Sequence, residues 1–250
     1  VAAPPSTCGT EDTTTCRALL PYPDIAPLDG HHATPRRACS HVTGSAAPGG
    51  WYRMKPAWQR LLRPVVTWLV ARHVSPDALT GAAIPVAAAV GACFAFSDGA
   101  SWLLLLVPAL AALRLILNLL DGQVARLGGT ARPMGEVGNE LADRLGDVLA
   151  IGGLAFVAGV GPVPAACAVV AALLASYAGI AARAAGAPRQ YGGVMSKPAR
   201  MIVLACAAPL AWLTSRPEVL LAAAWLIAAG AAVTLVQRVR AAGRWFADAS

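Results

Sequence analysis

Six apolar segments dominate this sequence, near residues 78–96, 101–120, 135–159, 163–184, 200–215 and 218–237. Most approach the roughly 20 residues that carry an α-helix across a bilayer. Inside lipid every backbone N–H and C=O must be satisfied within the chain, which leaves helices and closed barrels as spanning structures. Segments this long are expected as helices. Pro85, Pro108 and Pro209 fall inside them, which membrane helices tolerate. Only 13% of residues are charged and the mean hydropathy is +0.58, against about 25% charge in a soluble domain. An ordinary soluble globule is therefore excluded, and so is disorder over most of the chain. Aromatics are only 6%; the apolar content is Ala, Val, Leu and Gly, a mix that lets membrane helices approach closely.

The formal charge is +7. With both ends inside, the cytoplasmic segments hold fourteen basic residues, from Arg53, Lys55, Arg60, Arg63 and Arg72 through Arg126, Arg132, Arg183, Arg189, Lys197 and Arg200 to Arg238, Arg240 and Arg244. The outer loops hold only Arg216. An excess of Lys and Arg marks the cytoplasmic side, so orientation accounts for the charge and no nucleic-acid partner is needed. The expected fold is an all-α integral membrane protein: six transmembrane helices preceded by an amphipathic interfacial helix, with both termini cytoplasmic.

Residues 1–50 are rich in Pro, Thr, Ser and Gly and are expected to be a disordered tail. They show no basic start followed by an apolar stretch, so no signal peptide is read there. Their Cys8, Cys16, Cys39, His31, His32 and His41 match no zinc-finger spacing. Residues 51–75 are expected as the interfacial helix, with Trp58, Leu61, Leu62, Val65, Trp68 and Leu69 at helical spacing and Trp51, Trp58 and Trp68 as anchors. The transmembrane domain is placed at 76–240 and a cytoplasmic tail at 241–250. Ser75-Pro76-Asp77 reads as a helix start with a capping Ser. Cys93, Cys167 and Cys206 read as small buried hydrophobes.

Ionisable groups in spans are functional candidates by default, and here they gather in one place. Asn118 and Asp121 are three apart near the cytoplasmic end of the second span. Gly135, Asn139, Asp143 and Asp147 are each four apart and form one stripe on the third. Gly135 is expected to let a neighbouring helix come close. Oxygen-bearing side chains converging on one point suit Mg²⁺, Mn²⁺ or Ca²⁺. Arg114, one turn before Asn118, either pairs with these acids or reaches to the interface.

The stretch N118-x2-D121-G122-x2-A125-R126-x8-G135-x3-N139-x3-D143 resembles the signature of the CDP-alcohol phosphotransferase (phosphatidyltransferase) family, D-x2-D-G-x2-A-R-x8-G-x3-D-x3-D, with every spacing kept. Pro76, Asp77, Leu79 and Thr80 before the first span are also similar, and the resemblance covers roughly residues 55–240. It implies an enzyme that transfers a phosphatidyl or related phosphoalcohol group from a CDP-linked lipid such as CDP-diacylglycerol to an alcohol or alcohol-phosphate acceptor, releasing CMP. It further implies one or two Mg²⁺ or Mn²⁺ ions held by Asn118, Asp121, Asn139 and Asp143, with Asp143 as general base. Gly122 and Ala125 would admit the nucleotide, Arg126 and Gly135 complete the substrate-binding motif, and Lys197 and Arg200 would meet a phosphate. A homodimer in the bacterial cytoplasmic membrane, with the site at the cytoplasmic face, is part of the same expectation.

The first and third motif acids are Asn118 and Asn139 here, which lowers the charge of the four ligand positions from −4 to −2. Weaker metal binding, one tight ion in place of two, or help from the donor pyrophosphate is then expected, with Glu136, Glu140 or Asp147 as sources of compensation. The rival reading is a weakened or inactive relative that binds CDP-lipid or scaffolds other lipid enzymes. A small transporter is a third reading, which the motif spacing disfavours.

Overall fold

The computed structural model describes residues 55–188, 190 and 192–249, and the expectations for residues 1–50 lie outside it. Among the described residues the chain is helical. The α-helices are α1 (Lys55–Ala71), α2 (Pro76–Ala95), α3 (Val107–Leu127), α4 (Pro133–Gly152), α5 (Pro162–Ala184), α6 (Lys197–Thr214) and α7 (Glu218–Ala249). Short 3₁₀ turns at Ser101–Leu106 and Gly153–Phe156 lead into α3 and out of α4. Four helical stretches among these residues are long and apolar enough to cross a membrane: Pro76–Ala95, Ser101–Leu127, Pro162–Ala184 and Glu218–Asp248. Helix α4, with five charged residues in twenty, is not in that group, and neither is the 18-residue α6, which opens on Lys197 and Arg200.

Local chemistry sets the helix starts. Pro stands at the first or second position of α2, α3, α4, α5 and α6, where its missing N–H costs nothing and its fixed φ is already helical. Ser75 sits at the α2 N-cap, but its side chain makes no capping bond. Its carbonyl instead accepts from the N–H groups of Ala78 and Leu79, so the Pro, more than the Ser, defines this start.

Small residues then set the packing. The buried face of α5 runs Ala165, Ala168, Ala172, Ala175, Gly179, Ala182. That of α7 runs Leu220, Ala224, Ile227, Ala231, Thr234. Both alternate steps of three and four, a seam on which two helices lie along each other, and α5 and α7 do pack together. The principal neighbours of α4 are α2 and α5; those of α3 are α2, α6 and α1. The tightest crossing joins α2 to α4. A Cβ at Gly91 would run into the Leu149 carbonyl, and one at Gly153 into the Gly91 backbone. The sequence reading placed a close approach at Gly135 instead. A Cβ there would meet only Arg132 and Asp77 side chains, at ordinary van der Waals distances of 3.4 and 3.7 Å.

Large apolar side chains also point outward, among them Leu113, Val170, Leu174, Trp225, Leu226 and Val233. Such a surface suits lipid as its solvent. It explains a correction: Cys93 is buried as expected, but Cys167 and Cys206 are exposed, because apolar residues occupy both faces of these helices. Replacing Gly91 by Leu should destabilise the fold by about 1–3 kcal/mol through overpacking, measured as a lower thermal midpoint in detergent. The same replacement at Gly152, where a Cβ meets nothing within 4 Å, should have little effect.

Candidate active site

The polar residues of α3, α4 and α6 meet in two tiers. In the first, Asp121 is buried in the penultimate turn of α3. Its Oδ2 accepts from Thr80 Oγ1 at 3.0 Å and its Oδ1 from the Gly122 N–H. Thr80 comes from α2, where it also bonds the Pro76 carbonyl at 3.2 Å. Asp143 on α4 forms an ion pair with Lys197, the first residue of α6, and both side chains are largely buried. Asp121 interacts electrostatically with both members of that pair. Asn118 Nδ2 and Asn139 Oδ1 are buried with no hydrogen-bond partner.

The second tier lies one helical turn away. Asp147 is 0% exposed and accepts from Arg114 at 3.2 Å through Oδ1 and from Arg200 at 2.6 Å through Oδ2. Arg114, 1% exposed, also donates to the Asp143 carbonyl at 3.3 Å and to Met201 Sδ at 2.9 Å. Arg200, 2% exposed, donates to the Met195 carbonyl at 3.1 Å. Of the two readings open for Arg114, pairing with the acids is the one adopted. Asp147 is fully engaged by its arginines and offers no oxygen for metal compensation. Glu140 pairs with Arg144, and Glu136 with Arg183, so neither replaces Asn139. Arg200 is turned into the protein, away from any approaching phosphate, whereas Lys197 stands beside Asp143.

Gly122 and Ala125 lie on α3 with Arg126. A Cβ at Gly122 would come 3.3 Å from the Arg126 guanidinium, so the exposed arginine folds back over the bare backbone. Gly135 sits in the first turn of α4 beside the Asp77–Arg132 ion pair.

The loop before α6 is held from behind by α7. Arg238 donates to the Gly192 and Ala175 carbonyls at 2.9 and 2.6 Å. Gln237 Oε1 accepts from the Val194 N–H at 3.2 Å, and Thr234 Oγ1 from the Met195 N–H at 2.8 Å. Gly193 takes φ 126° against Thr234, a conformation open to glycine. This clamp delivers Lys197 to Asp143. Thr80 and the α7 residues were not placed in the site from sequence, and Asp147, expected on the ligand stripe, pairs with arginines. Thr80 had a signal, since it closes the Pro76–Thr80 start; the α7 side chains had none.

The donor set was tested against a divalent cation. Among the described residues no three His, Cys, Asp or Glu side chains cluster to hold a metal, so any site must use the amides. Asn139 Oδ1 is a buried acceptor without a donor, and a half-turn of the Asn118 amide presents its oxygen where Nδ2 now lies. Two amide oxygens with two carboxylates are hard donors of the kind Mg²⁺ and Mn²⁺ prefer. The residues fit such an ion.

A family model for CDP-alcohol phosphatidyltransferase matches residues 73–236. The chain belongs to the CDP-alcohol phosphatidyltransferase family. It is a transferase of phospholipid biosynthesis and a membrane protein. It is 33% identical over 196 residues to a phosphatidylinositol phosphate synthase of Mycolicibacterium smegmatis, covering 75% of this chain and 86% of that protein. Two crystal structures of the Mycobacterium tuberculosis phosphatidylinositol phosphate synthase share its fold at 23% identity. The one with CDP-DAG bound has a TM-score of 0.60 and covers 73% of this chain and 94% of that chain. The one in complex with manganese and citrate has a TM-score of 0.59 and covers 72% and 88%.

Replacing Thr80 by Val would leave one oxygen of buried Asp121 without its donor. A loss of about 1–3 kcal/mol is expected, read as a lower thermal midpoint. Thr80→Ser, which keeps the hydroxyl, should restore most of it.

Proposed function

We propose that this family member transfers a phosphatidyl or similar phosphoalcohol group from a CDP-linked lipid to an acceptor hydroxyl at the cytoplasmic face of the bacterial membrane. The observation that carries the reading is the placement of Asp121 and Asp143, at the family's spacing, on α3 and α4 with two unpartnered buried amide atoms beside them. Asp143 takes the acceptor's hydroxyl proton as the new O–P bond forms, and the P–O bond to CMP breaks. Lys197 pairs with Asp143 and helps to hold its carboxylate in place, and its ammonium is placed to meet an acceptor or donor phosphate. Thr80 and the Gly122 N–H orient Asp121, while Gly122 and Ala125 keep the α3 surface low. Asn118, Asp121, Asn139 and Asp143 would hold one Mg²⁺ or Mn²⁺, which when bound supplies positive charge against the donor phosphates. The manganese in the M. tuberculosis relative supports the choice of ion, and the CDP-DAG in the other structure supports the donor.

The topology belongs to the same reading. Helices α2 to α7 serve as six spans, with α4 and α6 carried by the polar contacts they make inside the bundle. The fourteen-to-one distribution of basic residues supports cytoplasmic ends. Helix α1 buries Val66 and Leu69 against Leu120 and Val124 of α3 and exposes Leu61, Val65 and Trp68, with Arg72 over the Trp68 ring at 5.2 Å. That apolar outer face supports its place at the membrane interface. The remaining divisions, a tail over 1–50 and a cytoplasmic end at 241–250, and a homodimer, are carried with it.

Asn118 and Asn139 favour a second reading, a relative that binds CDP-lipid without turning it over. One assay separates the two: purified protein, CDP-diacylglycerol, Mn²⁺ and a panel of acceptors led by inositol phosphate, because the M. smegmatis relative is named for phosphatidylinositol phosphate. CMP release that disappears in a folded Asp143→Ala variant is the expected result. Full activity in that variant removes Asp143 as base. A silent parent that gains activity in Asn118→Asp/Asn139→Asp selects the second reading. If the parent is active, the double variant should bind Mn²⁺ about tenfold or more tightly, read by calorimetry.

A further inference from the structure

We infer that Asp147, Arg114 and Arg200 are positioning residues, a buried tier that fixes the attitude of the reacting groups. The inference rests on the proposed transfer reaction. Its geometric basis is a correspondence on three helices. Arg114 lies one turn before Asn118 on α3. Asp147 lies one turn after Asp143 on α4. Arg200 lies three residues after Lys197 on α6. Each site residue therefore has a tier residue nearly below it on the same helix. The tier residues bond one another through both oxygens of a single carboxylate, so the three helices cannot rotate independently.

Arg114 adds a direct link. The same Nη2 that bonds Asp147 donates to the carbonyl of Asp143, so the backbone of the candidate base is held by the tier. Gly146 makes room for this. A Cβ there would meet Arg114 Nη2, Cζ and Nε, the last at 3.0 Å. Helices α3 and α4 have other principal neighbours, and the guanidinium reaches between them. Charge balance agrees. The tier carries one net positive charge, and the tier above it, Asp121 and Asp143 with Lys197, carries one net negative charge. Each tier lowers the cost of burying the other.

A purely structural role would affect only the folded fraction, whereas a positioning role changes the site of folded molecules. The test uses the full chain purified in detergent and two variants. Arg114→Lys keeps the cation but not the fork that serves Asp147, the Asp143 carbonyl and Met201 together. Gly146→Ala alters no ionisable group. Mn²⁺ affinity by EPR titration, the thermal midpoint, and kcat and KM for CMP release at saturating Mn²⁺ are measured for each. Arg114→Lys should stay folded, bind Mn²⁺ about tenfold or more weakly and lose about tenfold to a hundredfold in kcat. Its KM for CDP-diacylglycerol should stay within about twofold.

Wild-type Mn²⁺ affinity and kcat in Arg114→Lys overturn the inference, and so do losses that follow the folded fraction alone. Where Arg114→Lys does not fold, Gly146→Ala is read against the same criteria; failure of both to fold makes the tier structural and overturns it. A parent that binds Mn²⁺ but releases no CMP defeats the functional reading, and the Mn²⁺ affinities then decide the positioning. A parent that neither binds Mn²⁺ nor releases CMP overturns both.

Discussion

Two arginines share one carboxylate where no water reaches, and much of the molecule is arranged around that bond. A charge without a partner in such surroundings is costly, and removing one member of a buried pair costs more than the pair itself contributes. Arg114, Asp147 and Arg200 therefore constrain one another's helices more firmly than apolar contact does. Apolar packing against lipid-like neighbours is non-directional. A bidentate arrangement is not. Gly146 and Met201 make sense as accommodations to it, one by vacating space and the other by turning a soft sulfur toward a guanidinium.

The first tier is built differently. Asp121 is satisfied by a hydroxyl and a backbone N–H, Asp143 by an ammonium, and the two asparagines keep a polar atom each without a partner. Neutral amides in place of carboxylates reduce repulsion among groups that share a small volume. They leave a site of hard oxygen donors with less negative charge than four carboxylates would give it. The loop that brings Lys197 is itself bonded to Thr234, Gln237 and Arg238 of α7, so the chain's last helix helps to set the electrostatics of residues near its middle.

Much of this was legible in the sequence because it is periodic. The spacing of Asn118 and Asp121, and the stripe through Asn139, Asp143 and Asp147, follow from 3.6 residues per turn. The helices themselves follow from long apolar segments with Pro at their starts. What periodicity does not encode is which helix lies opposite. The resemblance made Arg200 a phosphate ligand together with Lys197, but one turn deeper on the same face its guanidinium is buried against Asp147. The Gly91–Gly153 crossing was invisible for the same reason, since each glycine looks ordinary in its own helix. Burial of cysteines failed as a rule because a helix bathed in lipid has no polar face to tell outside from inside.

An order of assembly follows from the way Asp147 divides its two oxygens. Helices α3 and α4 both pack on α2, so Arg114 and Asp147 can neutralise each other within the unit α2–α4, before later parts of the chain exist. The second oxygen is then still vacant and waits for Arg200, which arrives with α6 after α5 has been made. Until that moment the three-helix unit has an acceptor to spare, and α6 has a guanidinium with nowhere apolar to rest. Completion of the bundle is thus tied to one late docking event, and a chain stalled before α6 would be left with an uncommitted acceptor at its core, a mark by which quality control could tell it from the finished protein.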